Sequence, residues 1–278
     1  MIKDNLKDFL VSAEKEELKE KTIKQYNRYI NEFIDYTKIK NKEEITKDLM
    51  ITYKEHLREI HPKESSINNK IVVLNKFITF LELPEETRLK QYKLQKKTTL
   101  ENVLTQTDYE RLLRMAQKKG KIRMYYLQKT LAGTGIRIDE LQYITVEAVN
   151  KGSTKVDNKG KIRTIIISKK LAKELKQYCK DNNITSGIIF KSRNGNPLDE
   201  AYIWRELQWI AGQARVRKDK VHPHSYRHLF AKSFIAQYGN NSVMQLADIL
   251  GHSSLETTRI YTQNSISEQR NLLDSMNI

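Results

Sequence analysis

The sequence predicts a mainly α-helical protein with one small β-sheet, in which a four-helix N-terminal domain precedes a larger α+β domain. The 278 residues include only 10 Gly and 4 Pro, and this composition favours helix. Apolar residues recur at helical spacing through most of the chain. Residues 154–167 instead contain two strand-like runs around a turn of Asn158, Lys159 and Gly160, where glycine can adopt a positive φ. The length suits two domains, since one domain usually holds about 150 residues.

Residues 1–83 are predicted to form the four-helix domain. Four stretches carry apolar residues at helical spacing, near residues 6–10, 22–38, 46–60 and 65–83. Hydroxyl side chains that can accept a hydrogen bond from a free backbone N–H mark the expected helix starts: Thr22, Thr46 and either Ser65 or Ser66. The fourth helix should end before Pro84.

Residues 84–104 are interpreted as a basic linker between the domains. Pro84 is followed by five Arg and Lys side chains with weak periodicity, although an additional solvated helix is the alternative.

Residues 105–278 are predicted to form the second domain. It should begin with a capping box of Thr107 and Glu110 and a helix after it. Another helix should end at Gly133, before the hairpin. Further helices are expected near residues 168–181, 198–213, 224–238, 242–250, 254–261 and 266–276.

The charge of the chain points to a polyanionic partner. There are 50 Lys+Arg against 34 Asp+Glu, which gives a formal charge of +16, and residues 101–278 alone carry 29 against 17. Such a surplus is typical of proteins that bind nucleic acid. The single cysteine excludes an internal disulfide, and no apolar run approaches the ~20 residues that span a bilayer. We therefore expect a soluble, intracellular protein that binds DNA or RNA and has no membrane partner.

Two segments carry side chains suited to binding an anion. In residues 133–141, a glycine-flanked turn sets Arg137 at the start of a helix, where a guanidinium and free N–H groups together attract an anion. Lys159 is at the tip of the predicted hairpin, where it can be aimed at a phosphate or a leaving oxygen. Each signal is weak alone, because solvated arginines and turn lysines are common.

A third segment combines imidazole and guanidinium groups. His224 and Arg227 are three residues apart near a helix start and therefore share a face. Such a pair suits phosphoryl chemistry, since one group moves protons and the other holds charge. His222 and His228 nearby raise a metal site as the alternative, but no carboxylate or cysteine stands at ligand spacing.

The fourth segment, residues 250–261, runs Leu-Gly-His-Ser-Ser and ends in tyrosine, with His252 nine residues before Tyr261. A single tyrosine among 14 is ordinarily a core aromatic. The four segments in this order, however, resemble the tyrosine recombinase, or phage integrase, family, including its Xer-like members. The resemblance to the catalytic domain covers about residues 105–265, and residues 1–83 resemble the family's SAM-like core-binding domain.

The resemblance implies catalytic roles for six residues and a supporting role for a seventh, Glu140. Tyr261 would attack a backbone phosphate and form a 3′-phosphotyrosyl bond, without a metal, nucleotide or other cofactor. The other implied roles are phosphate binding by Arg137, Arg227 and His252, proton acceptance by His224, proton donation by Lys159 or alternatively Lys161, and support of a neighbouring Arg or His by Glu140.

The resemblance also implies the partners of the chain. We expect it to bind an inverted-repeat site in double-stranded DNA as a homodimer, to recombine two sites as a homotetramer, and to act on cytoplasmic, nucleoid DNA. Attack by Tyr261 within its own protomer is the default. The C-terminal tail should dock in a neighbouring protomer or pack on its own domain. The alternatives are a catalytically silent DNA-binding protein of the same fold and a topoisomerase-like relaxing enzyme.

Overall fold

The computed structural model describes residues 1–94, 103–158, 161–252, 254–262, 270 and 274–276, apart from the side chains of residues 158 and 161. The chain divides into two compact units, Met1–Lys96 and Lys97–Ile278. The described residues are mainly helical with one two-stranded sheet, so the predicted fold class is confirmed. Among these residues, no helix combines the length and the apolar composition needed to cross a bilayer.

The first unit is built from helices whose apolar stripes face one another. They are α1 (Ile2–Lys15), α2 (Glu20–Thr37), α3 (Lys47–Ile60) and α4 (Glu64–Phe80). One buried residue from each, Phe9, Phe33, Leu57 and Phe77, illustrates the single core that results. Burying a side chain of this size contributes about 1.5–3 kcal/mol to folding, so the periodicity that predicted these helices also explains their packing.

The predicted helix starts had different outcomes. Thr46 is confirmed as the cap of α3, because its hydroxyl accepts a hydrogen bond from a backbone N–H in the first turn. The other predicted caps were wrong: α2 begins before Thr22, and α4 begins before Ser65 and Ser66. In both helices charged residues that favour helix extend it towards the N-terminus.

Residues 84–92, the first part of the predicted linker, pack against α3 and α4. The side chain of Asn75 exchanges two hydrogen bonds with the backbone of Leu89, and Asn68 does the same with Tyr92, all at 2.8–2.9 Å. The backbone N–H and C=O groups of Leu89 and Tyr92 need hydrogen-bond partners, and these side-chain amides supply them in the way that a neighbouring β-strand would. Most of the remaining predicted linker lies outside the described residues.

The second unit combines helices with a β-hairpin. Its described helices are α5 (Gln106–Lys118), α6 (Ile122–Thr134), α7 (Val146–Lys151), α8 (Lys169–Asp181), α9 (Glu200–Gln213), α10 (Pro223–Tyr238), α11 (Val243–Leu250) and α12 (Leu255–Arg259). The strands β1 (Ser153–Asn158) and β2 (Lys161–Ile166) pair antiparallel, with Asn158 opposite Lys161. The predicted turn was one residue too long, because Asn158 belongs to the ladder. The helix predicted near 266–276 lies largely outside the described residues.

The capping box of α5 lies two residues earlier than predicted. The Thr105 hydroxyl accepts from the backbone N–H of Asp108 at 3.1 Å, and the Asp108 carboxylate accepts from the Thr105 N–H at 3.4 Å. The prediction of Thr107 and Glu110 was therefore wrong, because the same hydroxyl-to-acid spacing occurs twice and the helix starts at the first occurrence.

A small apolar cluster joins α10, α11 and the residues that follow α12. It contains Ala231, Ile235, Leu246, Leu250 and Tyr261, contributed by α10, by α11 and by the residues after α12. Gly135, directly after α6, lies against the same region: a β-carbon there would approach side-chain atoms of α10 and α11 to 2.6 and 2.8 Å. The ends of α6, α11 and α12 therefore meet beside the middle of α10.

Candidate active site

Arg137 and Glu140 form the first part of the site. α6 ends at Gly135, which has a φ of +61° and lets the chain turn sharply. Arg137 then caps a short 3-10 helix, Ile138–Tyr143. The backbone N–H of Arg137 donates to Oε2 of Glu140 at 2.8 Å, and its guanidinium donates to Oε1 at 3.3 Å. The Arg137 side chain remains 36% exposed, so part of it is available to a ligand.

Glu140 is only 2% exposed and also binds Arg163 of β2. Nε and Nη2 of Arg163 donate to the two carboxylate oxygens, and Nη1 donates to the carbonyl oxygen of Ile249 at 2.7 Å. Burial acts to raise the pKa of Glu140, but the hydrogen bonds from Arg163 and Arg137 outweigh it and lower the pKa. Glu140 is therefore an ionised carboxylate that joins the hairpin to the turn after α6.

Arg227 lies at the centre of the site and is 1% exposed. Its Nη1 donates to the carbonyl oxygen of Gly135 at 2.8 Å, and its Nη2 donates to that of Leu250 at 2.7 Å. Burial and the neighbouring charges of Arg137 and Arg163 lower the pKa of Arg227 to about 10, so it stays charged at neutral pH. Each terminal nitrogen keeps a second N–H for a ligand.

Three guanidinium groups surround one carboxylate, so the site carries a surplus of positive charge. Arg137, Arg163 and Arg227 interact electrostatically, and Glu140 balances one of them. Buried like charges raise the free energy of the empty site unless a counter-charge arrives. The arrangement therefore favours an anion with several oxygens, such as a phosphodiester.

The histidines of the site are neutral at neutral pH. Burial together with neighbouring histidines and arginines lowers the pKa of His228 and of His252 to about 4. The pKa of His224 is also lowered, by burial and then by Arg227. Nδ1 of His252 is 2.7 Å from the hydroxyl of buried Thr258, which fixes the ring and leaves Nε2 for a ligand. In the described part of the chain, no group of three His, Cys, Asp or Glu residues is arranged to hold a metal.

Tyr261 brings a hydroxyl to these groups. Its Oη lies 3.0 Å from Nδ1 of His228, and its ring is nearly parallel to that of His252, with 6.4 Å between centroids. Tyr261 is 5% exposed, and burial raises its pKa while Arg227 and Arg137 act in the opposite direction. A protonated phenol is therefore held beside a positive anion site.

The sequence-predicted residues meet in this site wherever the structure describes them. These residues are Arg137, Glu140, His224, Arg227, His252 and Tyr261. Lys159 lies outside the described residues, as does the side chain of Lys161. His224 contacts the ring of His228, with centroids 4.4 Å apart, whereas His228 contacts the tyrosine hydroxyl.

Sequence reasoning assigned no role to Arg163 and Thr258, and it considered His228 only as a possible metal ligand. A signal existed for His228, because it lies four residues after His224 and hence on the same helix face. The signal for Arg163 was weaker: side chains alternate along a strand, so Arg163 lies on the same face of β2 as the buried Ile165. Nothing in the sequence marked Thr258.

Comparisons with known proteins agree with this geometry. The sequence model of the phage integrase family matches residues 102–268, and that of the phage integrase N-terminal SAM-like domain matches residues 6–83. The tyrosine recombinase XerA of Pyrococcus furiosus is 29% identical over 281 residues, which cover 98% of this chain and 94% of the relative.

Two solved structures share the fold. XerH site-specific recombinase bound to its difH substrate, before cleavage, has a TM-score of 0.69 at 20% identity, covering 92% of this chain and 80% of that one. A lambda integrase tetramer bound to a Holliday junction has a TM-score of 0.76 at 16% identity, covering 95% and 79%. Because the first family model spans more than half of the sequence, this chain belongs to the phage integrase family, the tyrosine recombinases.

Proposed function

We propose that the chain is a site-specific DNA recombinase that cuts and rejoins strands by transesterification at Tyr261. The observation that carries this proposal is the placement of the Tyr261 hydroxyl in a buried site that also contains Arg137 and Arg227. A nucleophile beside a preformed anion site is what attack on a phosphodiester requires. The recombinase name of the archaeal relative supports the same activity and favours it over a silent or merely relaxing protein.

The proposed step uses the side chains in complementary roles. Tyr261 attacks the phosphorus, forms a 3′-phosphotyrosyl bond and releases a 5′-hydroxyl. Arg137 and Arg227 bind the non-bridging oxygens, where forked guanidinium groups stabilise the charge of the transition state. His252 offers Nε2 to the same phosphate, since Thr258 occupies its Nδ1. The phosphotyrosyl bond conserves the free energy of the phosphodiester, so rejoining needs no nucleotide.

Three further groups complete the proposed set. Lys159, or alternatively Lys161, protonates the leaving 5′-oxygen. His224 lies among Arg137, Arg227 and His228, where it contributes to the phosphate site. Glu140 supports the site by fixing Arg137 and Arg163. The proposed chemistry uses no metal and no other cofactor.

We further propose that the chain acts on double-stranded DNA as an oligomer. Residues 1–83 would bind the core site, residues 84–104 would link the domains, and residues 105–278 would carry the chemistry. The XerH structure bound to its difH substrate supports DNA as the partner, and the lambda integrase tetramer on a Holliday junction supports a tetramer in the synapse. We propose that each half of this tetramer is a dimer on one inverted-repeat site. The net charge of +16 suits strongly salt-dependent binding to cytoplasmic, nucleoid DNA.

Capture of a covalent adduct tests this function. Nicked duplexes that carry random sequence are incubated with the protein, and the DNA that remains attached in SDS is sequenced. We expect one enriched sequence and no adduct with Tyr261→Phe, whereas Tyr238→Phe, at an exposed tyrosine, should behave like the wild type. Adducts on arbitrary sequences would favour the topoisomerase-like alternative, and the absence of any adduct would overturn the proposal that the chain is an enzyme.

A further inference from the structure

The side chain of His228 lies within hydrogen-bond distance of the hydroxyl of Tyr261, the proposed nucleophile. His228 directly follows Arg227 in α10, and its Nδ1 lies 3.0 Å from Oη of Tyr261. The His228 ring contacts that of Tyr261, with centroids 5.5 Å apart, and that of His224, with centroids 4.4 Å apart. These two ring contacts help to hold the imidazole against the hydroxyl.

The protonation states of the pair allow a proton to pass from tyrosine to histidine. Burial, the neighbouring histidines and Arg227 keep the pKa of His228 low enough for it to be neutral at neutral pH, and burial raises the pKa of Tyr261, which keeps it protonated. In the tautomer with its hydrogen on Nε2, Nδ1 of His228 accepts a hydrogen bond from the Tyr261 hydroxyl. One proton then lies between the nucleophilic oxygen and a basic nitrogen.

His224, to which the family resemblance assigns proton acceptance, is arranged differently. It lies one helical turn before His228, and its described ring contact is with His228. Arg227, His222 and Arg137 lower the pKa of His224 further, after burial. His224 is thus a group of the phosphate site rather than the partner of the hydroxyl.

We propose that His228 is a catalytic residue that receives the proton of Tyr261 during attack on DNA; this inference rests on the proposed recombinase function. As the Oη–P bond forms, the O–H bond of Tyr261 breaks and its proton passes to Nδ1 of His228. The P–O5′ bond breaks, and the leaving oxygen takes a proton from the general acid, for which Lys159 is proposed. Rejoining reverses each transfer.

Bound DNA makes His228 a better base than it is in the empty site. The groups around it are His222, His224, Arg227, His252 and Tyr261, with Arg137 and Arg163 beyond. Most of these groups are cationic or can become so, and they disfavour an imidazolium. A phosphodiester between the arginines adds a negative charge that offsets them, and therefore favours protonation of His228 when substrate is present.

The test compares His228→Asn with the wild type on the DNA sequence selected by adduct capture. Asparagine keeps an acceptor oxygen close to the place of Nδ1 but cannot take up a proton. We expect adduct formation about 10²–10⁴-fold slower, the range of a lost general base. We also expect the variant's rate to rise tenfold per pH unit between about pH 7 and pH 9, because only the phenolate then attacks. If His228→Asn forms the adduct more slowly but with the same pH profile as the wild type, His228 only positions Tyr261, and the proposal is overturned.

A substrate with sulfur in place of the leaving 5′-oxygen distinguishes the proton donor for the leaving group from the proton acceptor for Tyr261. A thiolate leaves without protonation, so the Lys159→Ala variant should form the adduct on this substrate at nearly the wild-type rate. The His228→Asn variant should still form the adduct slowly. Recovery of His228→Asn, or an unimpaired His228→Asn on ordinary DNA, would overturn the role of His228. Failure of the wild type itself to form an adduct would instead overturn the recombinase function.

Discussion

Arg163 lies so close to Gly251 that no β-carbon fits between them. A β-carbon on residue 251 would lie 2.3 Å from Cδ of Arg163, and Gly251 has a φ of +63°. Arg163 has little freedom to move away, because its guanidinium is held by Glu140 and by the carbonyl oxygen of Ile249. The glycine thus lets the β-hairpin approach the loop that carries His252.

Gly251→Ala should damage both the fold and the site. The positive φ alone costs alanine about 1 kcal/mol, and displacing Arg163 adds to that cost. Gly120→Ala is the matched control, because Gly120 has a φ of +66° and a β-carbon there would meet no atom within 4 Å beyond its chain neighbours. Urea unfolding should show a clearly larger loss for Gly251→Ala, and adduct formation should fall only in that variant. Equal losses in the two variants would mean that the Arg163 contact is unimportant.

Glu140→Gln should destabilise the protein in a pH-dependent way. The substitution leaves Arg163 and Arg137 without their carboxylate, and breaking a buried ion pair costs about 3 kcal/mol. Because folding lowers the pKa of Glu140, its stabilising effect is complete above the unfolded-state pKa and is lost as the pH falls through the folded-state pKa. The difference in unfolding free energy between wild type and variant should therefore shrink as the pH falls below about 4.5, the usual range of a glutamate pKa.

Glu110→Gln is the control for this experiment, since the side chain of Glu110 is 51% exposed on α5. It should change the unfolding free energy little at any pH in the range. If the difference in unfolding free energy between the wild type and Glu140→Gln stays constant down to pH 3, the stabilisation does not depend on the ionisation of Glu140.

The helices could be predicted because apolar spacing reports directly which face is buried, and the fold follows from packing those faces. The functional contacts depend on residues far apart in sequence. Arg163, for example, is a charged residue in a strand, and its neighbours in sequence do not reveal that its partner is Glu140, 23 residues earlier. Tyr261 could not be distinguished from 13 other tyrosines by type, and only the order of the motifs singled it out.

Arg227→Lys should abolish most strand cleavage while the protein stays folded. A lysine ammonium lacks the fork that binds the carbonyl oxygens of Gly135 and Leu250 and still offers N–H groups to a phosphate. Loss of one such donor slows catalysis by about 10²–10³-fold, which the rate of adduct formation would reveal.

Arg111→Lys provides the comparison for Arg227→Lys. Nη2 of Arg111 also bridges two carbonyl oxygens, those of Ala214 and Arg215, but outside the site. Its loss should lower the unfolding temperature without slowing adduct formation. Similar rates for the two variants would show that Arg227 contributes only to stability.

Asn75→Ala should release the segment that follows α4. The Asn75 amide satisfies both the N–H and the carbonyl oxygen of Leu89, and removing it leaves those buried groups unpaired at a cost of about 1–3 kcal/mol. If that cost appears as local opening, amide exchange in residues 84–94 should accelerate by about five- to hundredfold. Asn69→Ala, at an exposed position of the same helix, should leave exchange unchanged. Equal exchange in the two variants would mean that the apolar contact of Leu89 alone holds the segment in place.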